Sequence, residues 1–283
     1  MSDSQTAKDT ARAFYESYNG RDLDASFEKY ISTELVNHVM GGTYDRTAWL
    51  TVDKALFPAF DDFGFTVLDQ VAEGDKVATR YRLGGTHTGE FVGIPASGKT
   101  AFLTGTAVDR VADGRIVEHW ADLDFTGFLQ QLTAGAPTTT SATGATAAAT
   151  RTTDEPLRRL ADEHFRLANA HDLDGLVALH APGFVSHEPQ GDVGIEWYRE
   201  VIGAFFASFP DATLTPVNTV VAEDRLVLHF ETVGTHTGAE FYGIPATGKR
   251  VRFAEIRVRR IEDGRFAEHW GLYDQATVLG QLQ

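Results

Sequence analysis

The sequence predicts an α+β protein whose fold is built twice in tandem, each copy a layer of about three helices on one face of a curved antiparallel sheet. Three observations lead there. The two halves repeat each other at a near-constant offset, the first part of each half carries apolar residues at helical spacing, and the rest reads as long β-rich runs divided by hairpin turn signals.

The repeat is direct. G-T-H-T-G-E-F-V-G-I-P-A-S-G-K (85–99) and G-T-H-T-G-A-E-F-Y-G-I-P-A-T-G-K (234–249) share thirteen of fifteen positions around the single insertion Ala239. D-G-R-I-V-E-H-W-A-D-L-D (113–124) answers D-G-R-F-A-E-H-W-G-L-Y-D (263–274), N-G-R-D-L-D (19–24) answers N-A-H-D-L-D (169–174), and V-N-H (36–38) answers V-S-H (185–187). Two copies, 1–133 and 154–283, flank a Thr/Ala/Gly stretch at 134–153 that holds no acidic or aromatic residue and one basic one, Arg151. A segment with nothing to bury is expected to be a flexible tether, and each copy is long enough for a core of its own.

Ala7, Ala11, Phe14, Tyr15 and Tyr18 form one face of a first helix, matched by Leu157, Ala161, His164, Phe165 and Ala168. A short helix follows each D-L-D, whose last Asp is the expected N-cap. A third helix is expected over 46–60 and 195–209. Then come strands at Val67–Ala72, Lys76–Thr86, Thr100–Val111 and Arg115–Leu123, with E-G-D and A-D-G as turns, and a short apolar helix closes each copy. A sheet wrapped on helices leaves a pocket between the two layers.

Residues 93–100, G-I-P-A-S-G-K-T, fit the Walker A pattern, but a phosphate cradle needs a helix after the lysine. The Thr- and Val-rich T-A-F-L-T-G-T-A-V reads as a strand, Pro95 lacks an N–H, and the second copy ends in Arg250. The glycines and Pro95 suit instead a structural arch between two long strands, with His87 and His236 as hydrogen-bonded loop histidines. The charge of −15 is shared by the halves: 12 basic and 20 acidic residues (−8) in 1–133, 13 and 20 (−7) in the remainder. That argues against a nucleic-acid partner. No apolar run suits a membrane span and no signal peptide is evident, so a cytoplasmic protein is expected. With no cysteine, disulfides, thiolate metal sites and a Cys nucleophile are excluded. No H-x-x-x-H or H-E-x-x-H pair suggests a metal site, and nothing resembles a Ser-His-Asp elbow.

The loop G-T-H-T-G-E-F-x-G-I-P-x-[ST]-G-K followed by D-G-R-x-x-E-H-W resembles the SnoaL-like polyketide cyclases, within the NTF2-like group, over nearly all of each copy. The resemblance implies cone-shaped α+β barrels with a deep apolar cavity, no metal or organic cofactor, and pairing of the two copies within one chain or between chains. It also implies an Asp on the last strand acting as acid and base, and that position is Ala121 in the first copy and Gly271 in the second. Asp122 is expected on the opposite face, and Asp124 and Asp274 as helix caps.

On the preceding strand the polar positions of the family fall on Gly105 and Ala107 in the first copy, and on Glu255 and Arg257 in the second. Residues two apart share a face. The first cavity is thus expected to be stripped and the second to hold a carboxylate beside a guanidinium, although charges on both sides of R-V-R-F-A-E-I-R-V-R-R also suit a solvated face. The expected catalytic residues are Glu255, Arg257, His187 and His269, with His38, Asn37, His119, Trp120, Trp270 and Tyr273 as pocket-wall residues. The expected activity is cofactor-independent acid–base chemistry (cyclisation, isomerisation or epoxide opening) on an apolar cyclic small molecule. The alternative is a binding module that has lost catalysis.

Overall fold

The computed structural model describes residues 3–39, 41–133, 154–189, 191–273 and 275–283, and of Leu272, Tyr273 and Ala276 the backbone alone. The chain divides into two compact units. The linker expected at 134–153 lies outside the described residues, as does Asp274.

In the first unit, α1 (Asp3–Ser17) buries Ala7, Ala11, Phe14 and Tyr15, and Tyr18 continues the stripe in the 3-10 turn that follows. Helix α2 (Leu23–Tyr30) is capped by Asp22, whose side chain accepts from Ala25 N. The cap is therefore the first Asp of D-L-D and not the last. An N-cap side chain reaches the amide three residues on, which places Asp24 inside the first turn. Strands β1 (Ile31–Val39) and β2 (Gly42–Tyr44) come next.

The expected third helix is split into α3 (Arg46–Lys54) and α4 (Leu56–Ala59). Pro58 has no N–H to donate to Lys54 O, and its ring crowds that carbonyl. Strands β3 (Gly64–Glu73), β4 (Lys76–Thr86), β5 (Thr100–Ala112) and β6 (Arg115–Leu123) form the meander, and α5 (Phe125–Thr133) ends the unit. The Asp124 carboxylate caps α5, accepting from Gly127 N at 2.8 Å.

The second unit repeats this order in α6 (Asp154–Asn169), α7 (Leu173–Ala178), β7 (His180–Glu188), β8 (Gly191–Val193), α8 (Ile195–Ser208), β9 (Thr213–Ala222), β10 (Arg225–Thr235), β11 (Arg250–Glu262), β12 (Arg265–Tyr273) and α9 (Gln275–Leu282). Ala207 stands where the first unit has Pro58, and α8 runs unbroken.

Each unit holds a six-stranded sheet, in the orders β2-β1-β6-β5-β4-β3 and β8-β7-β12-β11-β10-β9. Among the described residues the two edge strands of a sheet do not pair with each other, so each sheet is open and not a closed barrel. It is also mixed, because β1 pairs parallel with β6 and β7 with β12. The antiparallel expectation missed these strands for a visible reason. The ladder slips between Ile31 and Val36, which blurs the period-two pattern over Ser32, Thr33 and Glu34.

The twice-used loop joins β4 to β5 and β10 to β11, and the residues after Lys99 form a strand, so no phosphate cradle exists. Phe91 and Ile94 exchange backbone hydrogen bonds at 3.0 and 2.9 Å. The two residues between them, Val92 and Gly93, have φ of 44° and 81°, as a two-residue hairpin turn requires. His87 Nδ1 lies 3.1 Å from Ser97 Oγ, and His236 Nε2 donates to Ala239 O at 3.0 Å.

The arch also leans on the end of the third helix. A Cβ at Gly238 would lie 1.9 Å from Ala207 O. Gly238→Ala is expected to cost about 3 kcal/mol or more in urea unfolding, while Gly183→Ala, where a Cβ meets nothing within 4 Å, stays within about 1 kcal/mol. Equal effects would contradict this account of the arch.

Candidate active site

Strand alternation brings Glu255, Arg257 and Arg259 of β11 to one face. Glu255 stands between Phe230 and Tyr273 of the neighbouring strands, Arg257 between Leu228 and Gly271, and Arg259 between Leu226 and His269. Above this face, under α6 and α8, lies a cavity of about 360 Å³. Its wall is mainly aromatic and aliphatic, with Trp197, Phe206, Leu214 and Phe253 among the lining side chains; Glu255, Arg257, His164, Tyr198 and Thr232 supply polar groups, and Glu200 and Glu240 line it from exposed positions.

Glu255 Oε2 and Arg257 Nη2 form a close ion pair. Both residues line the cavity, the carboxylate side chain 6% exposed and the guanidinium side chain 18%, so the arginine is the more accessible partner. Its guanidinium also lies 5.3 Å from the Phe230 ring centroid. The solvated-face reading of this strand holds for alternate residues only. Arg252, on the opposite parity, pairs with Glu231 at 3.0 Å in an exposed setting.

Arg259 is fully buried beneath this pair. Its Nη1 donates to His180 Nε2 at 3.1 Å, and His180 Nδ1 in turn donates to Leu176 O at 2.9 Å, which fixes the neutral tautomer of that ring. The Arg259 guanidinium sits 4.5 Å from the Phe266 ring centroid, and burial brings its pKa down to about 10. Burial first, and then the charge of Arg259, hold three histidines neutral: His180 is brought down to about 3, and His164 and His269 are held well below the usual imidazole value. Both ring nitrogens of His164 and Nδ1 of His269 are buried without a hydrogen-bond partner. Glu188 accepts from Ser186 Oγ at 2.5 Å, and burial raises its pKa.

These neutral histidines set a pH dependence. Below about pH 6.5 the unfolded chain takes up protons that folded His180 refuses until about pH 3. Stability is therefore complete above about 6.5 and falls with falling pH, by up to about 1.4 kcal/mol per pH unit for this residue. In the first unit burial raises Asp53 to about 6, against the Tyr18 hydroxyl 2.5 Å away. The folded form of that unit thus gains stability as pH falls through about 6 toward the ordinary Asp value. Peptide-resolved hydrogen exchange at about pH 4.5 is expected to show the second unit losing protection first. Simultaneous loss in both units would contradict this.

Gly271 stands at the position to which the resemblance assigns an Asp. A Cβ there would lie 2.7 Å from His269 Nε2 and 3.1 Å from Arg257 Cγ. The space of the missing carboxylate is thus taken by the imidazole and the arginine stem.

The first unit, expected to be stripped, lacks polar side chains at Gly105 and Ala107 but holds a buried polar network beside them. Gly105 and Ala107 leave room for Tyr81, and a Cβ at Gly105 would lie 2.8 Å from the Tyr81 hydroxyl. One step further along the same face, Asp109 is fully buried, accepting from His119 Nδ1 and from the Tyr15 hydroxyl, both at 2.7 Å. His119 stacks on Trp49 at 4.2 Å, and Tyr15 stacks on Phe65 and Tyr81. The cross-strand partner of the equivalent histidine is thus Asp109 in one unit and Arg259 in the other. Continuing the i+2 stripe by one residue would have revealed both.

The other expected site residues divide by strand face. Asn37 is buried opposite His119 on the inner face, and His269 is buried beside Arg259. His187 and His38 do not reach the interior. His187 lies on the outer face between Asp192 (2.8 Å) and Glu268 (3.0 Å), stacked on Trp270. His38 lies 3.3 Å from Glu118 and stacks on Trp120. The structure thus corrects the placement of His187, His38, Trp120 and Trp270 at the pocket. Alternation sends a residue adjacent to an inward one outward, and Asn37 and Ser186 are the inward ones. The Tyr273 side chain lies outside the described residues. Among the described residues no group of three or more His, Asp or Glu side chains is arranged to hold a metal ion, and no helix is long and apolar enough to cross a membrane.

Comparison with known proteins gives a consistent picture. The profile of the SnoaL-like polyketide cyclases matches residues 8–132 and again 157–282. No curated protein matches the chain at a significant level. Among solved structures, IdmH of Streptomyces antibioticus, described as a candidate polyketide cyclase, is 37% identical over 45% of this chain and 98% of its own, with a TM-score of 0.42. TsrD of Streptomyces laurentii is 28% identical over 47% and 98%, at 0.43. AclR of Streptomyces galilaeus, described as a candidate hydroxylase, is 25% identical over 46% and 84%, at 0.43. With both copies matched over nearly their whole length, the chain belongs to the SnoaL-like polyketide cyclase family.

Proposed function

We propose that the chain is a cofactor-independent enzyme of secondary metabolism that moves a proton on an apolar cyclic small molecule held in the cavity of the second unit. The observation that carries this reading is the Glu255–Arg257 pair in the wall of a mainly apolar cavity of about 360 Å³, a size within the usual range for ligand pockets. Glu255 takes a proton from a carbon next to a carbonyl. The electron pair moves to the carbonyl oxygen, and Arg257 stabilises the oxyanion that forms. Return of the proton at another position isomerises the ligand, and attack of the enolate carbon on a second carbonyl closes a ring. In the opening of an epoxide Glu255 takes a proton from a water whose oxygen adds to the ring carbon, the C–O bond breaks toward Arg257, and that proton then passes from Glu255 to the alkoxide.

Ala121 and Gly271 favour a second reading, in which the pocket binds its ligand without turnover. A thermal-shift screen of the whole chain against polycyclic ketones, anthraquinone esters, terpenoids and epoxides separates the two, each hit being analysed by chromatography and mass. A ligand at a hundred times its dissociation constant adds about 2.7 kcal/mol of stability. Stabilisation with a changed ligand is the expected result, and stabilisation with every ligand unchanged would replace the enzyme by a binding module.

A further inference from the structure

The floor of the second cavity has the opposite charge character to the one its family position implies. A carboxylate is missing at Gly271, and the neighbouring strand contributes two guanidinium groups on the same face, the fully buried Arg259 and Arg257, whose side chain is 18% exposed. Of the carboxylates nearby, Glu200 and Glu240 line the cavity from solvent-exposed positions, and Glu255 is already engaged by Arg257 and is the more deeply buried of the two partners. Glu188 is turned to the Ser186 hydroxyl, and burial favours its neutral form. The cationic group in the cavity lining is the Arg257 guanidinium. His164, also on the cavity wall, is 2% exposed with neither ring nitrogen partnered. An unpartnered buried polar group is costly, and a ligand oxygen relieves that cost.

We propose that this cavity recognises its ligand as an anion: an apolar ring system bearing one acidic oxygen function, a carboxylate or an ionised enol or phenol, docked on Arg257 with His164 as a second polar contact. The inference rests on the same pocket as the proposed function but not on turnover. Arg257 offers several N–H donors in a fixed fork, of which the contact to Glu255 uses Nη2. Charge-assisted hydrogen bonds of this kind exceed neutral ones by enough to separate an anion from its neutral isostere. Trp197, Phe206 and Phe253 supply the flat apolar walls that suit the ring system. The first unit offers no equivalent, since its Gly105 and Ala107 carry no charge and its buried Asp109 would repel an anion.

The test needs no knowledge of the natural substrate. Binding of a naphthalene carboxylate and of the naphthalene carboxamide with the same substitution pattern is measured on the full chain by calorimetry at neutral pH. The carboxylate is expected to bind about tenfold tighter or better. In Arg257→Gln the preference is expected to vanish while the amide still binds. In Arg257→Lys, which keeps the charge, part of the preference is expected to remain. Equal affinity for the two probes in the unaltered chain would overturn the proposal without any reference to variants, and so would a preference that survives in Arg257→Gln. Neither probe can react, so these outcomes leave the catalytic reading untouched. Conversely, an unreactive pocket that still prefers the carboxylate would retain this inference and remove the other.

Discussion

Glu255→Gln is expected to lower turnover by about a hundredfold or more while ligand binding changes little. The amide has nearly the shape of the carboxylate, so the 5% exposed position stays filled. What is lost is the capacity to accept a proton, together with the charge opposite Arg257. Leaving the partly buried Arg257 guanidinium unpaired also costs stability, so the variant is compared below its own unfolding transition. A variant that binds and turns over normally would remove Glu255 from the chemistry. In that case Glu188, the other carboxylate near the arginines, would be the group to test next.

Asp109→Ala has the largest expected effect on stability, about 3–5 kcal/mol in urea unfolding of the first unit. The carboxylate has no exposure and accepts from both His119 Nδ1 and the Tyr15 hydroxyl. Truncation leaves both donors buried without an acceptor and opens a void beside the stacked Tyr15, Phe65 and Tyr81 rings. The effect should also be non-additive with Tyr15→Phe, because the two changes remove one shared bond. Turnover of the folded variant is expected to persist, since Asp109 lies outside the second cavity. A loss below about 1 kcal/mol would contradict the description of this network as part of the core.

Much of this architecture was legible in the sequence because repetition doubled every signal. The α1 and α6 stripes, the four long strands and the loop between the central ones all appeared at the same phase in both copies. The parallel edge was hidden, since Ser32, Thr33 and Glu34 fall in a register slip and carry no period. The break in the third helix was legible at Pro58, and the second copy, with Ala207, shows what happens without it.

Reading the site went less far. Spacing alone paired Glu255 with Arg257, but it could not say which strand face points inward. That choice decided the fate of His187, His38, Trp120 and Trp270, which stack in pairs on the outside of their own units, His187 on Trp270 and His38 on Trp120. Arg259 and Asp109 escaped notice because a charged residue in a strand reads as solvated. Only the assembled sheet shows that each is fully buried opposite the same histidine.

The central claim, proton transfer at carbon by the second unit, is tested most directly in deuterium oxide. Polycyclic ketones and ketone esters that stabilise the chain are incubated with it and followed by mass for uptake of deuterium next to the carbonyl, whether or not a ring then closes. The account predicts catalysed uptake by the unaltered chain and its loss in Glu255→Gln. Ligands that bind the cavity yet take up deuterium no faster than in buffer, or at the same rate with Glu255→Gln, would contradict it.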